Sequence, residues 1–136
     1  MTKYKAKRVL LTETSIDTLD DLEENGLFTK SLPHGIIFDS RLEAEYYRDV
    51  LLPRIQSGEI EVQMQPKFEV LGGYKSDDYK FKPVMYIPDF LLTYRDGTRE
   101  AVDVKGFETD AFVLKRKMFH VCYPTIRLLV IEKLSL

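Results

Sequence analysis

Asp89 closes the run Tyr86-Ile87-Pro88-Asp89, and a little further on Asp103 and Lys105 stand two residues apart in Val102-Asp103-Val104-Lys105-Gly106. Two carboxylates and an ammonium gathered on one small patch would be costly in an ordinary core, because unpaired buried charge is strongly penalised. The same patch suits a divalent cation with a phosphate beside it, since carboxylate oxygens hold a hard cation and a lysine meets the anion.

Whether the acids meet depends on the turn between them. A two-residue turn at Asp96-Gly97 would pair Arg95 with Thr98 and set Asp89 against Val104, putting the two acids on opposite faces. A three-residue loop, with Arg95-Asp96 as a type I turn and Gly97 as a left-handed bulge, pairs Tyr94 with Thr98 and therefore Asp89 with Asp103. Gly97 is the residue that bulge favours, so the second register is expected. Asp89, Asp103 and Lys105 then share a face, Phe90, Val102 and Val104 point the other way, and opposed Cβ atoms lie about 4.5 to 5.5 Å apart.

The elements carrying these residues are read from periodicity and punctuation. Thr14 or Ser15 is expected to cap a short helix with Ile16, Leu19 and Leu22 as its apolar stripe, ending near Asn25-Gly26. Ser40 opens a longer helix to about Pro53. Residues 59–70, 84–94 and 99–105 read as three strands of an antiparallel meander, with a polar loop through Gly72-Gly73 and Ser76-Asp77-Asp78 between the first two. Thr109 or Asp110 caps a helix to about Cys122, Pro124 stops it, and the apolar run 126–131 suits a buried strand.

Composition bounds the class. A chain of 136 residues with 44% apolar residues can bury one core and has no room for a second, so one domain is expected. A single cysteine, Cys122, permits no disulfide within the chain and fits a reducing cytoplasm. No apolar run reaches the roughly 18 to 20 residues of a membrane span, and the first residues lack the apolar stretch of a signal peptide, so an unprocessed protein with no membrane partner is expected. Net charge is -2 and the isoelectric point about 5.7, which argues against a non-specific nucleic-acid coater. The charge is segregated: Lys3, Lys5, Lys7 and Arg8 form a basic head, followed by Glu13, Asp17, Asp20, Asp21, Glu23 and Glu24. There is no glycine-rich phosphate loop and no Cys/His zinc spacing, which excludes a nucleotide-triphosphate motor at the level of motifs.

Pro88-Asp89 with Asp103-Val104-Lys105 resembles the signature of the PD-(D/E)XK nucleases. The closer likeness is to small phage and prophage endonucleases of that superfamily. Their pattern is similar to Gly35-Ile-Ile-Phe-Asp39-Ser-Arg-Leu-Glu43-Ala-Glu45-Tyr-Tyr47, Gln65-Pro-Lys-Phe68, Tyr86-Ile-Pro-Asp89-Phe90, Asp103-Val-Lys105-Gly106 and Lys115-Arg-Lys117. The likeness covers about residue 34 to the C-terminus plus the basic head. It implies an α/β (α+β) fold with a restriction-endonuclease-like core, in the order helix-strand-strand-strand-helix-strand, its mixed sheet flanked by helices. Residues 1–136 would then be a single nuclease domain with a basic N-terminal arm (1–10) and an acidic helical insertion (11–30).

The resemblance further implies a metal-dependent DNA endonuclease that hydrolyses phosphodiester bonds of branched or recombination and replication intermediates. Glu43, Asp89, Asp103 and the Val104 carbonyl would hold Mg²⁺ or Mn²⁺. Lys105 would orient or help deprotonate the attacking water, and Gln65 would hold the site or its water. Lys115, Arg116, Lys117, Lys67, Lys5 and Lys7 would contact the nucleic acid. DNA is the implied partner, with a homodimer or a phage or host recombination or replication protein as further ones, in the cytoplasm of the host cell. Taken alone, each residue also has a plain reading. Glu43 completes a capping box three residues after Ser40, Asp103 with Lys105 can be a solvated ion pair, Gln65 can be strand filler, and His120 can be a cap. Exposed Tyr46, Tyr47 or Tyr74 could stack on unpaired bases. Two non-enzymatic alternatives stand beside hydrolysis: a nuclease fold kept for gripping DNA or docking a partner, and an acidic helix that mimics DNA.

Overall fold

A computed structural model describes residues 7–12, 15–24, 35–105 and 107–132, with backbone alone for 22–24. The chain is a mixed α+β protein. A four-stranded mixed sheet in the order β11-β10-β9-β4 is built from β4 (Ile60–Met64), β9 (Phe90–Tyr94), β10 (Arg99–Val104) and β11 (Arg127–Ile131). The strands β4, β9 and β10 run antiparallel, and β11 joins β10 in parallel. The elements of this sheet follow the expected helix, three strands, helix, strand order, but four further strands, which the expected order lacks, lie between β4 and β9.

The pleat explains the layering, because alternate residues of β9 and β10 reach opposite faces. Phe90, Leu92, Val102 and Val104 enter one buried cluster with Ala44, Tyr46 and Leu51 of the first helical segment. Leu91 and Ala101 enter a second cluster with Phe112 and Phe119 of α4 (Asp110–Cys122). Both faces of the central strands are therefore buried between helices.

The long helix expected from Ser40 starts there. In α2 (Arg41–Tyr46) the Ser40 side chain accepts a hydrogen bond from the Glu43 amide at 3.1 Å. It does not stop at Pro53, however. A π-helical segment (Tyr47–Leu51), in which the Leu52 amide reaches back to the Tyr47 carbonyl, leads into α3 (Leu52–Gln56). That wider turn places Pro53 at the start of a new α-helical stretch, where its missing amide costs little.

Several other expectations are corrected. Ile16 does not belong to a helix: Ile16–Thr18 is a strand, β2, paired with β1 (Val9–Leu11), which also pairs with β3 (Ile36–Phe38). The helix α1 is only Leu19–Glu24, capped by the Thr18 hydroxyl at the Asp21 amide rather than by Ser15; Thr14 lies outside the described residues. Cross-strand pairing of Ile16–Thr18 with the apolar run Val9–Leu11, itself paired with Ile36–Phe38, thus outweighs the 3.6-residue pattern at Ile16 and Leu19. The strand expected over 59–70 breaks after Met64, where Gln65 takes φ 49° before Pro66, and resumes as β5 (Phe68–Leu71). The strand expected over 84–94 likewise breaks at buried Pro88, which has no amide to give a ladder, into β8 (Val84–Tyr86) and β9. β5 and β8 pair with each other apart from the main sheet. The polar loop over 72–78 is instead a hairpin, β6 (Tyr74–Ser76) with β7 (Tyr79–Phe81). Finally, β11 is half-buried at the sheet edge rather than enclosed. Among the described residues no helix is long and apolar enough to cross a membrane.

Candidate active site

The turn decides the site, and it is the three-residue form. The Gly97 amide donates to the Tyr94 carbonyl at 2.9 Å, the Tyr94 amide donates to the Thr98 carbonyl at 2.9 Å, and Gly97 has φ 87°. Asp96 holds the loop by accepting from the Thr98 amide at 2.9 Å and the Thr98 hydroxyl at 2.7 Å. The register that follows pairs Arg99 with Thr93 and Val102 with Phe90, so the next pair along the same ladder is Asp103 with Asp89.

Asp103 is fully buried. The Tyr86 hydroxyl donates to its Oδ2, while Oδ1 has no hydrogen-bond partner and faces the Lys105 ammonium at 3.5 Å. A buried carboxylate oxygen left without a hydrogen bond is expensive and calls for an explanation. Asp89 stands beside it: its Oδ2 accepts from the Val104 amide at 2.7 Å, and its carboxyl is close enough to Asp103 for a hydrogen bond between the two. Carboxyls in that relation repel unless they share a proton or a cation. Burial first, then Asp103 and Glu43, push the Asp89 pKa up to about 8. Burial and the charge of Asp39 push Glu43 up to about 7, with the Ser40 hydroxyl and Lys105 opposing. Burial and the Asp103 carboxylate likewise hold the Tyr86 hydroxyl protonated, its pKa well above the ordinary range.

The structure brings most expected residues together. Glu43 is buried at the first turn of α2 and senses Asp39, Asp103 and Lys105. The Gln65 amide donates to the Asp89 carbonyl at 2.9 Å, and the Gln65 side chain donates to Asp39 Oδ2 at 2.9 Å. Val104 is buried and enters through its amide. Lys105 stands 4.6 Å from the centre of the Phe112 ring. Arg116 lies over the same ring at 5.2 Å, pairs with Glu108 at 3.5 Å, and its charge reaches Tyr86.

The other basic residues are more dispersed. Lys117 lines a groove between α4 and β11 with Leu128 and Val130, Lys115 is half-buried, Lys67 is exposed at the head of β5, and Lys7 is exposed before β1. Lys5 lies outside the described residues. Tyr46 is core and Tyr47 packs on Phe38 and Phe90, so of the three tyrosines considered for base stacking only Tyr74 is exposed. Sequence reasoning gave no role to Tyr86 or Asp39. A tyrosine in an apolar strand needs a partner for its hydroxyl, and that was the available signal for Tyr86.

The arrangement can be tested against a cation. Its donors are carboxylate oxygens, which suit Mg²⁺ or Mn²⁺, and Asp103 Oδ1 has no hydrogen bond that a cation would displace. Yet among the described residues no three His, Cys, Asp or Glu side chains converge in a metal-holding group. All three carboxyls are already engaged: the Val104 amide holds one oxygen of Asp89, the Tyr86 hydroxyl holds one of Asp103, and Ser40 holds Glu43 at the helix cap. The fit is that of an acid pair with one open oxygen.

A family pattern described as "protein of unknown function (DUF1064)" matches residues 28–135. The chain belongs to the DUF1064 family. No curated protein and no solved structure matches it. The matched DUF1064 span contains every residue of the acid cluster, from Asp39 to Lys105, and leaves out β1 and β2.

Proposed function

We propose that this DUF1064 protein is a Mg²⁺- or Mn²⁺-dependent DNA endonuclease of the PD-(D/E)XK type, with a restriction-endonuclease-like core. One observation carries the reading: Asp89 and Asp103 adjoin the last ladder pair, Phe90 with Val102, and interact with each other, with Asp103 Oδ1 buried, without a hydrogen bond and 3.5 Å from Lys105. The order of the elements that build and flank the main sheet, helix, β4, β9, β10, helix and β11, supports the same reading.

Asp89 and Asp103 would hold the cation, with Glu43 as the third carboxylate. When bound, the cation neutralises charge on the phosphate and lowers the pKa of a water. The chain's own groups do the rest. Lys105 has a side chain 28% exposed, so its ammonium faces both the acid pair and solvent. It would orient the attacking water, whose proton passes to solvent, and balance the negative charge that gathers on the phosphoryl oxygens as the water oxygen bonds to phosphorus and the ester oxygen leaves, taking a proton from solvent. Tyr86 and the Val104 amide fix the two carboxylates from behind. Arg116 meets the neighbouring phosphate.

Branched recombination intermediates are the substrate favoured by the family resemblance. A panel of end-labelled junction, flap, single-stranded and linear duplex DNA, each with Mg²⁺, Mn²⁺, Ca²⁺ or EDTA, tests the activity. Cleavage with Mg²⁺ or Mn²⁺ and none with EDTA is expected. DNA binding without cleavage under every condition would favour the non-catalytic module instead.

A further inference from the structure

The hairpin β6–β7 has two chemically opposite faces. Tyr74 pairs with Phe81 and Ser76 with Tyr79, which places all three rings on one side. The Phe81 ring stacks on Tyr74 at 4.7 Å and lies 4.5 Å from Tyr79. The rings are nonetheless 57% (Tyr74), 64% (Tyr79) and 41% (Phe81) exposed, so they pack against each other and not into the core. The other side carries Lys75 directly opposite Lys80, with Lys82 following. Like charges in directly opposed positions destabilise a strand pair. Among the described residues none of the three lysines makes an ion pair that would relieve this.

A two-stranded ribbon with bare rings on one side and unneutralised lysines on the other is a marginal element by itself. Its composition is that of a surface for unpaired bases on one side and phosphates on the other. Its neck is closely packed: a Cβ on Gly73 would lie 2.8 Å from the Phe81 carbonyl and 3.0 Å from Pro83. Lys82-Pro83 leads straight into β8, whose Tyr86 holds Asp103. At about 3.3 Å per residue, the base of the hairpin at Phe81 is within about 17 Å of Tyr86 and its tip within about 26 Å, the span of about 5 to 8 nucleotides of one strand.

We infer that this hairpin is a wedge for the boundary between single- and double-stranded DNA, its rings stacking on exposed bases of one strand and Lys75, Lys80 and Lys82 lying along the phosphates of the other. The inference names the substrate feature read by the site and rests on the nuclease reading only for where a cut would fall.

Binding in EDTA separates the two. Fluorescence anisotropy would compare a forked DNA with a blunt duplex of the same sequence. The full-length protein should bind the fork at least tenfold more tightly. Tyr74→Ala with Tyr79→Ala should erase that preference while changing duplex affinity less than threefold. Lys75→Ser with Lys80→Ser should weaken both substrates and shallow the dependence of log affinity on log salt. The chain contains no tryptophan, so Tyr79→Trp gives a single indole reporter that keeps a ring in place. Its emission should be quenched by the fork and not by the blunt duplex. Equal fork preference in the double aromatic variant, with unquenched indole, would overturn the wedge. So would an RNA fork outcompeting the DNA fork, or an aromatic variant with intact DNA binding but altered sedimentation, which would make the rings a protein contact. Loss of fork preference with Mg²⁺-dependent cleavage intact would leave the nuclease reading standing, and fork preference without cleavage would leave only the wedge.

Discussion

A carboxylate as deeply buried as Asp103 must have each oxygen accounted for, and one of them is accounted for only by a charge 3.5 Å away. Asp103→Asn and Lys105→Ala should therefore each lower Mg²⁺-dependent cleavage by about 10²-fold or more with little loss of DNA affinity, because phosphate grip and chemistry rest on different side chains. Gel-shift and cleavage assays on the same preparations would show it, and full activity in both variants would remove these residues from the site. The acid pair also sets a pH dependence. Asp89 and Glu43 have folded-state pKa values of about 8 and about 7, above their ordinary values, so the folded protein retains protons that the unfolded chain has released. Their contribution to stability is thus full below about pH 4 and is lost as pH rises towards about 8. Each pKa unit corresponds to about 1.4 kcal/mol, and solvent reaching the half-open site reduces the sum to a few kcal/mol at most. Urea denaturation in EDTA should show falling stability from about pH 5 to about pH 8, and Asp89→Asn should flatten that slope.

At the scale of elements the turn is the joint on which the site depends. Gly97 has φ 87° and open space where a Cβ would sit, so a side chain there meets no clash and pays only for the backbone conformation. Gly97→Val should cost about 1 to 3 kcal/mol in denaturation and depress cleavage further than that loss of folding explains, because a register slip parts Asp89 from Asp103. Activity unchanged in a destabilised variant would break the link between turn and site. This turn was legible in the sequence because few residues accept a left-handed bulge and the arithmetic of pairing admits few registers. The caps at Ser40 and Thr109 were legible for the same kind of reason, a local hydrogen bond with a fixed spacing. Breaks inside strands were not. Gln65-Pro66 and Pro88 divide runs that alternate correctly on both sides, and only the assembled sheet shows that β5 and β8 leave it as a separate pair. The hairpin β6–β7 was hidden because its turn residues, Asp77-Asp78, and its lysines read as solvated loop.

For the molecule as a whole, a mixed sheet between helices delivers one acid cluster from three directions: α2 supplies Glu43, the break before β9 supplies Asp89, and β10 supplies Asp103 and leads into Lys105. That order was legible because each element is long enough to show its period. The first sheet was not: β1, β2 and β3 are three residues each, too short for periodicity to outweigh the charge pattern around them. Leu11 and Ile16 belong to the same buried cluster as Phe90 and Val102, so deleting residues 11–30 should cost cooperative folding itself, read as loss of a sharp thermal transition. A deletion that kept the parent transition would show that these strands are dispensable. The central claim is that the Asp89–Asp103 pair exchanges a proton for a divalent cation. Calorimetric titration of Mn²⁺ at pH 7, repeated in two buffers of different ionisation enthalpy, measures that exchange directly. Binding with release of about one to one and a half protons per cation is expected, since burial and Asp103 keep Asp89 largely protonated at pH 7 and Glu43, with a pKa of about 7, is about half protonated, and Asp89→Asn should cut the release to the Glu43 share and weaken binding at least tenfold. No binding, or binding without proton release that Asp89→Asn leaves unchanged, would contradict the account.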